Sequence, residues 1–270
     1  MGLILPKRFG QDKPPVGSQI DWGHPLARGL VGCWLLNEGA GGRAHNLSGR
    51  GNHGALTNFA FPSTSTSGWN PGRTGIGLSF DGVDDYVKMT TTGLYTDTVT
   101  LETWTKTSST KDYQAVLGSD VAEKHEILLK TATYPAKIEV SLESSNYVQW
   151  NDVLPQGQWT HIVVVAQNGI QWKLYLNGVD KGTPDTVGGT YQVDGTGVSC
   201  LYIGKMRSDA SFSHAGLIDK VCIYNRALSP QEIRSLYEAP YQFIIPQRSI
   251  VRDYFVWGPQ QRSGILNLLL

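Results

Sequence analysis

The stretch 159–180, WTHIVVVAQNGIQWKLYLNGVD, constrains the fold more than any other part of the chain. It holds two apolar runs of strand length, 159–166 and 171–176, and then Asn177-Gly178 before Val179. An Asn-Gly pair between β-type runs is the strongest short-range hairpin signal, because both residues tolerate the left-handed backbone of a tight turn. A chain containing such a unit needs further strands to cover it, since an isolated hairpin is marginal in water.

Those strands are present. Residues 98–105 set Val99, Leu101, Thr103 and Thr105 against Thr98, Thr100, Glu102 and Trp104, the period-two pattern of a strand. Short apolar runs recur at 30–36, 116–117, 127–129, 138–142, 201–204 and 217–224, and two strand pieces flank the acidic turn Asp81-Gly82-Val83-Asp84-Asp85. Gly makes up 31 of the 270 residues, about 11% against a usual 7%, as short strands joined by tight turns require. Ser229, Pro230 and Glu232 predict a capped helix that ends before Pro240. The expected organisation is an extended arm over 1–25, a β-sandwich over 26–239, and an apolar tail over 240–270. Left in water, that tail would associate with something.

Charge excludes some functions. With 23 basic and 23 acidic side chains, the chain lacks the bulk positive charge of a phosphate-tracking surface, so no nucleic-acid partner is expected. No apolar stretch is long enough to span a bilayer, and the opening MGLILPKRFG is too short for a signal-peptide core, so synthesis in a cytoplasm is expected. Cys33, Cys200 and Cys222 are too few for a disulfide framework and read as buried thiols.

Five ordered segments resemble a known family: GLVGCWLLNEGAGGRAHNLSGRGNHGALTN, LSFDGVDDYVKM, TLETWTKTS, QWTHIVVV with WKLYLNGVDKG, and LYIG with GLIDKVCIYNRALSPQEIRSLY. Together they are similar to laminin-G-like domains of the concanavalin A-like lectin and glucanase superfamily. The resemblance implies an all-β fold, a two-sheet antiparallel jelly-roll β-sandwich, with the first and last strands adjacent and Cys33 near Cys222 as neighbouring thiols or a bridge. The lead HPLARGLVG and the end ALSPQEIRSLYEAPYQFIIPQRS resemble versions found in bacteriophage virion proteins. That implies a non-enzymatic capsid decoration or tail component, homo-oligomeric and attached to other virion proteins. Phe243, Ile244, Ile245, Tyr254, Phe255 and Trp257 would be its docking residues.

Relatives with calcium place oxygen ligands where this chain has Asn46, Asn52, Asp81 and Asp219, although Asn46 stands where the family often has Asp. The alternative for these residues is turn shaping by side-chain to backbone hydrogen bonds. Carbohydrate binding, with host-surface glycans as partners, is the competing function; Trp69, Tyr113, Tyr134, Tyr147, Trp150 and Tyr191 read as loop aromatics able to stack on sugar rings. Trp34, Trp104, Trp159 and Trp172 lie in strand runs and are assigned to packing. Catalysis is the weakest reading. The acidic pair Glu139/Glu143 lacks the central Asp of the glucanase strand, and Asp81/Asp84/Asp85 sits in a turn. The six His residues are dispersed, with His161 read as a structural imidazole.

Overall fold

The computed structural model describes residues 8–90, 97–109, 111, 113–121, 126–130, 137–143, 146–193, 197–206 and 210–247. Two antiparallel sheets face each other. One has eight strands, in the order Val179–Asp180, Ile170–Leu176, Thr160–Gln167, Thr98–Thr107, Ala215–Tyr224, Ile76–Asp81 and Gly68–Pro71, with Leu30–Trp34 also pairing to Ala215–Tyr224. The other has nine, in the order Thr186–Gly188, Asn146–Trp150, Lys137–Glu143, Glu126–Lys130, Gln114–Ser119, Cys200–Ile203, Tyr86–Thr90, Gly54–Thr57 and Arg43–Ala44. Trp34, Leu78, Phe80, Leu101, Val116, Val140, Trp150, Ile162, Trp172 and Ile223 belong to the core between the sheets.

The local signals act as expected. Thr160–Gln167 and Ile170–Leu176 form the hairpin, and Leu176 then pairs with Val179 across Asn177 (φ 52°) and Gly178 (φ 76°). Both positive φ values match the tight turn such a pair forms. The helix Pro230–Glu238 starts with a full capping box: Ser229 accepts the Glu232 N–H, and Glu232 reaches back to the Ser229 N–H. Cys33 and Cys222 lie opposite each other with their sulfurs 3.5 Å apart, both free thiols and fully buried.

The arm and tail depart from expectation. Strand Thr160–Gln167 is buried on both faces: Ile162, Val164 and Ala166 point into the sandwich, while Val163 and Val165 point outward into a second apolar cluster. That cluster contains Ile20 and Leu26 from the N-terminal side, Ile233 and Leu236 from the helix, and Tyr241, Phe243 and Ile244 beyond it. Gln19–Ile20 and Ile244–Ile245 pair as a small antiparallel sheet. The packed body therefore extends past the boundaries expected at 26 and 239. Phe243 and Ile244, expected to grip another chain, are fully buried against their own sandwich, and Ile245 is half-buried. The physical reason is that the eight-stranded sheet is apolar on its outer face too, and these residues are near enough in sequence to cover it. Tyr254, Phe255 and Trp257 lie outside the described residues.

Candidate functional site

Beneath the arm and tail lies a layer of buried charge. Glu102 and Lys220 are diagonal neighbours on the two central strands, Glu102 opposite Cys222 and Lys220 opposite Trp104, and form an ion pair of 2.6 Å with neither side chain exposed. His161 Nε2 lies 3.1 Å from the same carboxylate oxygen, its ring stacked on Trp104. Lys220 also donates to the Pro240 carbonyl at 2.9 Å. Burial alone would raise the Glu102 carboxyl, but the Lys220 ammonium and the His161 contact outweigh it and lower it to about 2. Lys220 is displaced upward by the same pairing, against the effect of burial. His161 is lowered, because burial disfavours the imidazolium.

A second pair lies where the register shifts between Ile218 and Lys220, so that Asp219 is inserted as a bulge residue. Its Oδ1 lies 3.0 Å from Lys13 Nζ and accepts from Tyr241 Oη at 2.8 Å, while Oδ2 accepts the Arg73 N–H at 2.8 Å. Gly72 permits the last bond, since a Cβ there would collide with the Asp219 carboxylate. Lys13 donates further to the carbonyls of Leu36 and Asp219, and burial lowers its pKa to about 8. These carboxylates are held by fixed cations and fill closed positions; they tie arm and tail to the sheet.

The residues proposed for calcium do not meet. Asn46 and Asn52 share one loop: Asn46 Oδ1 accepts the N–H groups of Cys33 and Ser48 at 2.9 and 3.0 Å, and Asn52 Oδ1 accepts from Thr90 Oγ1 at 3.1 Å. Asp81 Oδ1 accepts the Val83 N–H at 2.8 Å in its own turn. Asp219 lies four strand positions or more from Asp81's partner Ala215, roughly 13 Å away. A cation needing six to eight oxygens finds no shared set among these four. Among the described residues, the one acidic group with converging oxygens is Asp81, Asp84 and Asp85. There Asp84 Oδ2 accepts from Asn58 and Asp85 Oδ2 from the Asp81 N–H. Burial pushes Asp85 up to about 6, with the neighbouring charges adding to it.

Nor do the proposed sugar-stacking aromatics form one surface. Trp69 and Trp150 are core residues, 7% and 1% exposed, each donating its indole N–H to a backbone carbonyl, of Gly41 and Gly182. Both lie in the core and not in loops, because their strands turn these side chains between the sheets. Tyr191 is half-buried edge-on to Trp172, Tyr147 is half-buried on the outer face of the nine-stranded sheet, and Tyr113 is exposed beside Phe212. Tyr134 lies outside the described residues, as does the side chain of Glu143; Glu139 accepts from Gln149 Nε2.

One concave feature escaped the sequence reading. A cleft of ≈ 300 Å³ lies between the arm at 15–18 and the loop at 35–53, and Leu35, Asn37, Glu38, His45, Asn46 and His53 help line it. Glu38 Oε1 accepts the His45 N–H at 2.7 Å and lies 3.2 Å from His45 Nδ1, and the rings of His45 and His53 meet edge to face at 5.4 Å. The signal available in sequence was a Glu and two His within one Gly-rich loop, too widely spaced to read as a set.

Two stacked antiparallel sheets with a first strand paired beside the last define a lectin-like sandwich as the class of this molecule. Residues 81–234 match the laminin-G-like family, and the chain belongs to the concanavalin A-like lectin/glucanases superfamily. Among solved structures it is similar to domain 4 of AbnA, a GH43 extracellular arabinanase from Geobacillus stearothermophilus solved with arabinotriose (20% identity, TM-score 0.58, 77% of this chain and 98% of that one). It is also similar to the binding domain of Paraclostridial Mosquitocidal Protein 1 (15%, 0.58, 78% and 52%) and to Trypanosoma rangeli sialidase (19%, 0.55, 78% and 32%). The chain thus spans about a third of the sialidase, and at these identities the likeness is one of fold. A search of curated proteins finds no match. No helix among the described residues is long and apolar enough to cross a membrane.

Proposed function

We propose that this chain is a non-enzymatic display module, a structural component of a bacteriophage virion that holds a lectin-like sandwich by one face and presents the other. The observation that carries the reading is the pairing of Gln19–Ile20 with Ile244–Ile245 over the outer face of the eight-stranded sheet. Residues 8–20 and 244–247 lie on that side, so attachment through the chain beyond them would turn the nine-stranded sheet outward. The buried Glu102 and Asp219 support a non-catalytic role, because each carboxylate is already neutralised by a lysine and out of reach of substrate.

Recognition of host-surface glycans by the presented surface is the second reading. It is favoured by the open outer face, where Tyr86 and Tyr202 meet edge to face at 5.5 Å and Lys205 lies 4.6 Å from the Tyr86 ring. The deciding experiment compares the full chain with one lacking residues 248–270, by light scattering and electron microscopy. The full chain should assemble into a homo-oligomer or attach to virion proteins, and the shortened chain should remain a folded monomer with an unchanged Tm. A full chain that is monomeric and attaches to nothing would overturn the display reading, as would a shortened chain that assembles normally.

A further inference from the structure

Lys13 and Asp219 stand 206 positions apart in sequence and meet inside the protein, the lysine side chain 2% exposed and the aspartate not at all. The lysine belongs to the arm and the aspartate to the strand Ala215–Tyr224. A buried amine held against a buried carboxyl has a second chemistry besides ion pairing. The two can condense to an amide, since the amine is a nucleophile once it is neutral and the pair is already in place.

The surroundings supply the parts of that reaction. Lys13 Nζ has four acceptors: Asp219 Oδ1 at 3.0 Å, the Asp219 and Leu36 carbonyls at 2.8 and 3.2 Å, and the Ile76 carbonyl. An ammonium has only three N–H groups to give them. When the proton facing Oδ1 moves to the carboxylate, the two that remain stay with the carbonyls, and the lone pair left behind faces the Asp219 carboxyl group. Burial favours the neutral amine, and it brings Lys13 down to about 8. The carboxyl carbon is one bond beyond Oδ1, so the reacting atoms start close together.

The carboxyl group is held at both oxygens. Oδ2 accepts the Arg73 backbone N–H at 2.8 Å, a donor placed where negative charge collects when the carbon becomes tetrahedral. Oδ1 accepts from Tyr241 Oη at 2.8 Å, a donor on the oxygen that has to leave.

We propose that Lys13 and Asp219 form an intramolecular isopeptide bond that fastens the arm covalently to the sheet. The ion pair is the state before reaction. One proton passes from Nζ to Oδ1, and the neutral amine adds to Cγ while the electron pair of the C=O bond moves to Oδ2. A second proton passes from the nitrogen to Oδ1, the Cγ–Oδ1 bond breaks, and Oδ2 returns its pair to form the amide carbonyl. One water leaves, and no other reactant is needed. Tyr241 is the catalytic residue, and the Arg73 N–H is the oxyanion donor. The bond stands apart from the display reading, since it joins two parts of one chain.

The test is the denatured intact mass of the full-length chain after storage at pH 8.5. The chain should be lighter than its sequence by one water, and digestion should release a branched peptide joining the segments around Lys13 and Asp219. Lys13→Arg keeps the charge and cannot form the amide, so it should show its full sequence mass. Followed from the time of synthesis, Tyr241→Phe should form the bond at least tenfold more slowly. A wild-type chain of full mass would overturn the proposal and leave an ordinary buried ion pair. So would a loss of water that persists in Lys13→Arg or maps to Asp81-Gly82, where closure of the aspartate onto the next backbone nitrogen gives the same mass change. Equal rates in Tyr241→Phe and wild type would overturn the role given to Tyr241.

Discussion

The two outer faces of the sandwich obey one alternation rule and end in opposite states. On the eight-stranded sheet, the outward residues Glu102, Val163, Val165, Lys220, Cys222 and Tyr224 are buried under the arm, helix and tail. On the nine-stranded sheet, Lys88 is exposed and Glu139, Tyr147 and Tyr202 are only partly buried. Period-two alternation divides a strand between two faces without saying whether the second meets water or protein. Once a face is covered, its charges must be paired. A lysine opposite a tyrosine is an ordinary solvated residue on one sheet, while a lysine opposite a tryptophan on the other needs Glu102.

The largest break in this contrast should come from Lys220→Met. It leaves the Glu102 carboxylate buried with only a neutral imidazole beside it, and breaking a buried pair in this way costs about 3–5 kcal/mol. Lys88→Met on the open face should change stability by no more than about 0.5 kcal/mol. Urea midpoints measure both, and equal effects would erase the distinction between the faces. The pair also has a pH signature. Because the folded Glu102 pKa is about 2 against an ordinary 4.5, its stabilisation is complete above pH 4.5 and is lost as pH falls toward 2. The wild-type chain should show that acid loss, and Lys220→Met should lack most of it.

Next in size is Phe243→Ala, which tests whether the tail belongs to the body. Emptying a fully buried phenylalanine site typically costs about 3 kcal/mol or more. A docking residue for another chain would instead leave the isolated subunit's melting unchanged and alter only assembly. Thermal melts of the isolated chain separate the two.

What the sequence disclosed follows the range of the forces involved. The Asn177-Gly178 turn and the Ser229 capping box are decided within a few residues, and both are readable directly. The sheet pattern is nearly as legible, because Val99 and Leu101 alternate with Thr100 and Glu102 along one strand. Glu102 read alone looks like a residue facing water, since its lysine comes from a strand near the far end of the chain. Phe243 and Ile244 read as a greasy tail because apolar character calls for burial without naming the partner. Trp69 and Trp150 follow the same logic in reverse: neighbouring Asn and Gly residues suggest loops, and distant packing puts them in the core. The cleft was hidden because its polar groups converge only when the Gly-rich loop closes against Ser18.

The smallest expected effect sharpens the comparison from the other side, by asking what a buried carboxylate does without a cation. Asp85 is fully buried at the turn after Ile76–Asp81, and the groups that stabilise its charge are the Asp81 N–H and the Ser67 hydroxyl. Its folded pKa of about 6 lies above the ordinary 3.8, so the shift is opposite in sign to that of Glu102. The folded state binds the proton more tightly than the unfolded chain does. The associated stability is complete below pH 3.8 and is lost as pH rises through 6. Asp85→Asn keeps an oxygen to accept the Asp81 N–H and removes the charge, so it should stabilise the protein at pH 7.5 by about 1–2 kcal/mol and leave it nearly unchanged at pH 4. Melting curves at the two pH values measure the difference. A variant destabilised equally at both would mean that the carboxylate's charge is wanted in the turn, and that absence of a cation is no measure of strain at a buried acid in this fold.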